Sequence, residues 1–93
     1  MSLAAVDVFD GSAPWRLSER VSLRDESFGA LAYHHGTRRL VFLKSRELVD
    51  LVRSLDAFES ADVAVASMIS PALRAHYVTA LSSLAASEII CEG

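Results

Sequence analysis

The sequence is poor in the residues that build covalent or phosphate-binding sites. Its 93 residues include one cysteine, four glycines and two prolines. A single thiol, Cys91, supports neither an internal disulfide nor a thiolate metal cage. The glycines are scattered along the chain, so they form no phosphate-binding loop. These shortages exclude a disulfide-stabilised fold and a nucleotide-binding protein of the phosphate-loop type.

Long apolar segments are also missing. No run of about 18 uninterrupted apolar residues could cross a bilayer, and no basic segment leads into an apolar block with a cleavage site. We therefore expect a soluble, cytoplasmic protein that does not bind membranes. A chain of 93 residues buries enough surface for one hydrophobic core and not for two.

No group of side chains has the arrangement that catalysis or metal binding requires. His34 and His35 are adjacent, which on a strand directs them to opposite faces, and His76 stands alone. The serines occupy cap and turn positions, with no His and Asp at a recognisable spacing. We therefore predict a protein that is not an enzyme and that has no metal or cofactor.

Basic residues are concentrated in the first part of the chain. The formal net charge is -3, yet eight of the nine Lys and Arg residues lie between Arg16 and Arg53. No acidic residue occurs from Ser27 to Arg46. The overall charge argues against general nucleic-acid binding, whereas the local excess indicates a basic surface for a partner.

Period-two patterns predict three short strands. The first begins at Val21 and ends before a turn at residues 25–27, and the second covers residues 28–34. A turn follows in which we expect Gly36 to adopt a positive φ. The third strand, residues 38–43, alternates and is an edge strand unless another segment covers it. Leu40 and Phe42 lie on one of its faces, and Arg39, Val41 and Leu43 on the other.

Three helices are predicted after the strands. Ser45 is a good N-cap for a helix over residues 45–57, and a short helix follows at about 60–67. Ser70-Pro71 starts the third helix, which reaches about residue 87. Its apolar positions recur with helical spacing at Leu73, Tyr77, Leu81 and Leu84. Ile89 and Ile90 then either close the core or add a short strand.

This order of elements predicts an α+β fold that is winged helix-turn-helix-like, with a three-stranded antiparallel sheet followed by three helices. We assign residues 14–91 to this domain. Residues 1–13 are expected to be a flexible N-terminal segment, in which Val8 and Phe9 are candidates for a short docking strand. Winged helices in other proteins enter DNA through a later helix, but here the third helix offers only Arg74 and His76 for that purpose.

Four motifs carry a resemblance to a known family: WRLS at residue 15, FGALAYH at residue 28, GTRRL at residue 36 and FLKS at residue 42. Together they resemble the precursor-peptide chaperones of the mycofactocin system, relatives of the PqqD-like proteins known as RiPP recognition elements. The similarity extends through the two longer helices. Residues 56–70 fit the family pattern least well.

The resemblance implies a noncatalytic peptide-binding role. Members of the family hold the leader of a ribosomally made precursor peptide and present its C-terminal core to a radical SAM maturase. That maturase decarboxylates the tyrosine of a terminal Val-Tyr pair and then cross-links the pair. The iron-sulfur clusters belong to the maturase, which agrees with the absence of a CxxxCxxC pattern here.

An exposed third strand explains how such binding could work, because a peptide can pair with its free edge as a fourth strand. The family's precursors are rich in Glu and Asp, which suits the basic residues around this strand. The predicted peptide-binding residues are Arg38, Arg39, Leu40, Val41, Phe42, Leu43 and Lys44, with Leu73, Arg74, Tyr77 and Leu81 from the third helix.

Two other functions remain open from the residues alone. One is a DNA-binding winged-helix protein. The other is an assembly module that forms a homodimer by pairing its edge strand with a second copy.

Overall fold

Five strands and three helices form the part of the chain that the computed structural model describes, residues 9–93. Short 3-10 turns follow α1 and precede α3, at residues 55–57 and 71–73. The predicted α+β class, with a three-stranded antiparallel sheet and then three helices, is confirmed. In chain order the elements are β1 (Trp15–Leu17), β2 (Val21–Glu26), β3 (Gly29–His34), β4 (Leu40–Leu43), α1 (Arg46–Ser54), α2 (Ala61–Met68), α3 (Arg74–Ala86) and β5 (Ile90–Glu92).

The strands form two separate antiparallel sheets. One has the order β2-β3-β4, and the other pairs β1 with β5. Trp15 lies opposite Glu92 and Leu17 opposite Ile90. The sequence patterns did not predict β1, because three residues are too few to show alternation and the partner strand lies at the other end of the chain. Both alternatives for the C-terminal isoleucines occur, since Ile89 and Ile90 are buried and Ile90 begins β5.

The residues before β1 contact the start of α2. The N-H groups of Ala61 and Asp62 donate to the carbonyls of Ala13 and Gly11, at 3.1 and 2.9 Å. Phe9 is outside any strand, and its ring lies 4.9 Å from that of Trp15. Val8, the other residue of the predicted docking strand, lies outside the described residues, and the boundary at residue 13 stays a prediction.

Helix α1 covers the inner face of the three-stranded sheet. The Ser45 hydroxyl accepts from the Leu48 N-H at 3.0 Å, so the predicted N-cap is confirmed. The helix buries its apolar stripe, and on the sheet side Ala30, Ala32 and Leu43 are completely buried. The small side chains of Ala30 and Ala32 let α1 approach the sheet closely.

The apolar stripe of α3 is shorter than predicted. Tyr77, Leu81 and Leu84 are buried, but Leu73 is 46% exposed. The reason is that residues 71–73 form a 3-10 turn, whose three-residue period places Leu73 off the line that an α-helix would continue. Helical structure begins at Pro71 as predicted. Its first turn is a 3-10 turn, and α3 itself begins at Arg74.

The β3–β4 turn differs from the prediction. The left-handed residue is Arg38, with φ 65°, and not Gly36. The Arg38 N-H donates to the His34 carbonyl at 2.7 Å, while the N-H groups of Gly36 and Thr37 donate to His34 Nδ1. The imidazole thus organises the turn. Turn propensities do not predict such a contact between a side chain and the backbone. As a result β4 begins at Leu40 and not at Arg38.

Candidate functional site

Strand β4 has one paired edge and one open edge. It pairs with β3, and no backbone group of residues 40–43 bonds to any other segment within residues 9–93. The predicted edge strand is therefore an edge in the structure as far as the described residues extend. The C-terminal segment does not cover it, because β5 pairs with β1.

The alternation of an antiparallel ladder identifies which groups point outward. The His34 N-H donates to the Arg39 carbonyl at 2.9 Å, and the β3–β4 register continues this pattern at Val41 and Leu43. In such a ladder, alternate residues direct both backbone groups to the partner strand and the residues between them direct both groups away. Leu40 and Phe42 therefore present their N-H and C=O groups to the open edge.

The side chains of β4 alternate between solvent and core. Leu40 and Phe42 are 55% and 54% exposed, while Val41 is half-buried and Leu43 is buried. The Phe42 ring lies 5.7 Å from the ring of Phe28, which is also exposed. Phe28 was not among the predicted site residues. In the sequence, Phe28 is only a large aromatic residue beside Gly29 at a turn. That pattern does not indicate what the ring contacts.

Basic side chains flank the open edge at both ends. Arg38 and Arg39 precede β4, Lys44 follows it, and all three are exposed. Within the described part of the chain none of them lies within 4 Å of a carboxylate. In contrast, Arg46 contacts Asp25 at 3.5 Å, so its charge is partly balanced inside the molecule. Three positive charges without a carboxylate partner in the described residues thus lie around the open edge.

The predicted residues of α3 lie at different depths. Leu81 is completely buried and Tyr77 is 7% exposed, so both face the core. The Tyr77 hydroxyl lies 3.0 Å from the Ser45 hydroxyl. Tyr77 therefore fixes α3 to the junction between β4 and α1. Leu73, in the 3-10 turn before α3, is the most exposed member of this group.

Arg74 serves the helix before it. Its Nε donates to the Ile69 carbonyl and its Nη2 to the Ala66 carbonyl, both at 2.9 Å. These carbonyls lie at the C-terminal end of α2, where no intrahelical donor remains. The guanidinium caps the C-terminal end of α2, so it is not an unengaged charge available to a peptide.

We predict that Arg74→Ala lowers the free energy of unfolding by about 1–2 kcal/mol, because two carbonyls lose a charged donor. Arg74→Lys should lose less, since an ammonium can still donate to one of them. Urea denaturation measures both changes. A loss below about 0.3 kcal/mol for the alanine variant would contradict the capping role.

The described residues contain neither a candidate metal site nor a candidate membrane-spanning helix. Across residues 9–93, no three His, Cys, Asp or Glu side chains lie together as a metal site would require. None of the helices in that range combines the length and apolar character needed to cross a bilayer.

Comparison with known proteins identifies relatives over most of the chain. The Peptide chaperone MftB family matches residues 14–91. A protein named peptide chaperone MftB from Mycolicibacterium smegmatis is 41% identical over 86 residues, which cover 91% of this chain and 84% of the relative. A second, from Mycobacterium ulcerans, is 42% identical over 88 residues, 94% of this chain and 81% of the relative. No solved structure gave a significant match. The chain belongs to the peptide chaperone MftB family.

Proposed function

We propose that this chaperone binds the leader of a ribosomally synthesised precursor peptide as an added strand on the open edge of β4. In this arrangement it presents the C-terminal core of the precursor to a radical SAM maturase in mycofactocin biosynthesis. The observation that carries the proposal is the open edge itself, with the backbone groups of Leu40 and Phe42 directed outward.

The proposed contacts follow from the side-chain positions. Leu40 and Phe42 would contact alternate leader side chains on the outer face of the sheet, and Val41 would contact the others on the inner face. Leu73, which is exposed before α3, is a further contact that we propose. Leu43, Tyr77 and Leu81 are buried, so we assign them to supporting β4 from within the core. Arg74 holds the C-terminal end of α2 through the Ala66 and Ile69 carbonyls.

Backbone pairing supplies a moderate affinity. Four hydrogen bonds to Leu40 and Phe42 contribute about 1 kcal/mol each, and two buried aliphatic leader side chains about 2 kcal/mol each. Ordering a flexible leader costs roughly 2–5 kcal/mol. The balance of about 3–6 kcal/mol corresponds to millimolar to tens-of-micromolar binding. Tighter binding requires charge complementarity, which an acidic leader finds at Arg38, Arg39 and Lys44.

The other edge of the same sheet is less suited to a peptide. Strand β2 carries Asp25 on its inner face, and that carboxylate contacts Arg53 at 3.2 Å and Arg46 at 3.5 Å. A charged residue that points inward on an edge strand is a common protection against strand addition. Strand β4 has no charged residue within its four positions, so we favour it over β2.

Charge also disfavours the homodimer alternative. When two copies of β4 pair antiparallel through their outward groups, one register sets Leu40 against Phe42 of the second copy. The same register sets Arg38 against Lys44 at both ends, and like charges directly opposite each other destabilise a strand pair. An acidic peptide meets no such penalty. The DNA-binding alternative loses its main contact because Arg74 is engaged with α2.

NMR titration of the labelled protein with an acidic leader tests the proposal. We expect the largest amide shifts at residues 38–44 and in α3, while β2 changes little because it lies across the sheet. Shifts confined to α1 would rule out the β4 edge. Adding the maturase to the leader complex should broaden signals without displacing the leader, and displacement would contradict the presenting role.

A further inference from the structure

A concavity of about 560 Å³ lies where the β3–β4 turn meets β1, β5 and the end of α3. Its lining includes Trp15, Ser18, Arg20, His34 and Thr37, and none of residues 38–44. The surface is therefore separate from the proposed leader-binding edge. Its polar groups come from segments far apart in sequence, which the fold brings together.

A buried histidine that lines this concavity has one ring nitrogen without a partner in the described residues. His34 is 4% exposed, and its Nδ1 accepts from the Gly36 and Thr37 N-H groups at 3.0 and 3.1 Å. A ring nitrogen that accepts carries no proton, so the neutral imidazole holds its proton on Nε2. Nε2 has no hydrogen-bond partner within residues 9–93. In the same range, every side-chain nitrogen or oxygen that is fully shielded from solvent has a partner. Nε2 is therefore open to solvent, and His34 is one of the residues that line the concavity.

Arg20 converges on the same place. Its Nη1 and the His34 Cε1 lie 2.8 and 2.9 Å from the point that a Cβ on Gly36 would occupy. Among the described residues, no carboxylate lies within 4 Å of Arg20. The Ser18 hydroxyl accepts from the Arg20 N-H at 3.1 Å, which leaves its own proton free to donate. A guanidinium, an imidazole N-H and a hydroxyl thus face one concave surface.

We propose that this concavity binds a carboxylate carried on an apolar group. Oriented donors around a guanidinium are the chemistry that recognises a carboxylate, and the half-buried Trp15 supplies an apolar part of the lining. The one acidic lining residue, Glu88, is exposed, so solvent screens its repulsion. The carboxylate could be a chain terminus or an acidic side chain.

Matched acid and amide probes test this site. We expect N-acetylphenylalanine to bind with a millimolar Kd and N-acetylphenylalaninamide at least about tenfold more weakly. Acetyl-Ala-Glu-Ala-amide and its Gln counterpart test a side-chain carboxylate in the same way. Whichever acid binds more tightly identifies the source. Shifts of the His34 ring and Trp15 indole signals report binding, and equal binding of acids and amides, or of neither, overturns the proposal.

Variants separate the donors from the fold. Arg20→Gln should weaken the acid about tenfold, and Glu88→Gln should strengthen it about twofold. His34→Asn keeps an acceptor near Nδ1 and removes the Nε2-H, so it should weaken binding of the acid. Arg24→Gln is the control, because Arg24 contacts Glu26 at 2.7 Å, outside the concavity. Undiminished acid binding by Arg20→Gln would overturn the site.

Discussion

Phe42→Pro should weaken leader binding by at least about 30-fold while the protein stays folded. Proline removes the outward N-H of Phe42, and its ring obstructs an approaching strand. The same N-H makes no bond to β3, because Phe42 and Leu31 form a pair whose backbone groups point away from each other. Isothermal titration calorimetry with an acidic leader measures the loss.

Two control variants make this result specific to the edge. Phe42→Ala removes the ring and keeps the N-H, so it should weaken binding less than about tenfold. Val41→Pro removes a bond to β3 and should destabilise the fold as well. Phe42→Pro binding as tightly as Phe42→Ala would show that the leader does not pair with this backbone.

Reversing the charge at both ends of the edge should have the second largest effect. We expect Arg39→Glu combined with Lys44→Glu to weaken an acidic leader about tenfold or more at low salt. The remaining affinity should depend little on ionic strength, since screening then has no attraction to reduce. Arg38 is left intact because its φ of 65° would mix backbone strain with the charge effect.

A control with the same change in net charge is Arg16→Glu with Arg24→Glu. Arg16 lies in β1, and Arg24 lies on β2, away from the β4 edge. This variant should bind the leader within about threefold of the parent protein. Equal losses in both variants, measured at several salt concentrations, would assign the effect to net charge and not to the edge.

Local patterns predicted the elements that local chemistry determines. The Ser45 cap, the alternation of Leu40 and Phe42 against Val41 and Leu43, and the three helices are confirmed within one to three residues at most boundaries. The resemblance to the mycofactocin chaperones is confirmed by the family match. The prediction that the chain is not an enzyme is confirmed by membership of a peptide chaperone family.

What the patterns missed depends on contacts between distant residues. Strand β1 exists because β5 lies beside it, and Arg74 is engaged because α2 ends near its guanidinium. The turn at Arg38 follows from His34 Nδ1 accepting two N-H groups. Such contacts have no signature in a short window of sequence. They also explain why the side-chain roles in the predicted site were harder to assign than its location.

Hydrogen exchange at individual amides of β4 tests the central proposal most directly. In the free protein, Leu40 and Phe42 should exchange quickly because their N-H groups face outward, whereas Val41 and Leu43 should be protected by β3. Saturation with leader should slow exchange at Leu40 and Phe42 by at least about tenfold and leave the other two nearly unchanged. A leader that binds without slowing exchange at Leu40 and Phe42 would contradict strand addition at β4.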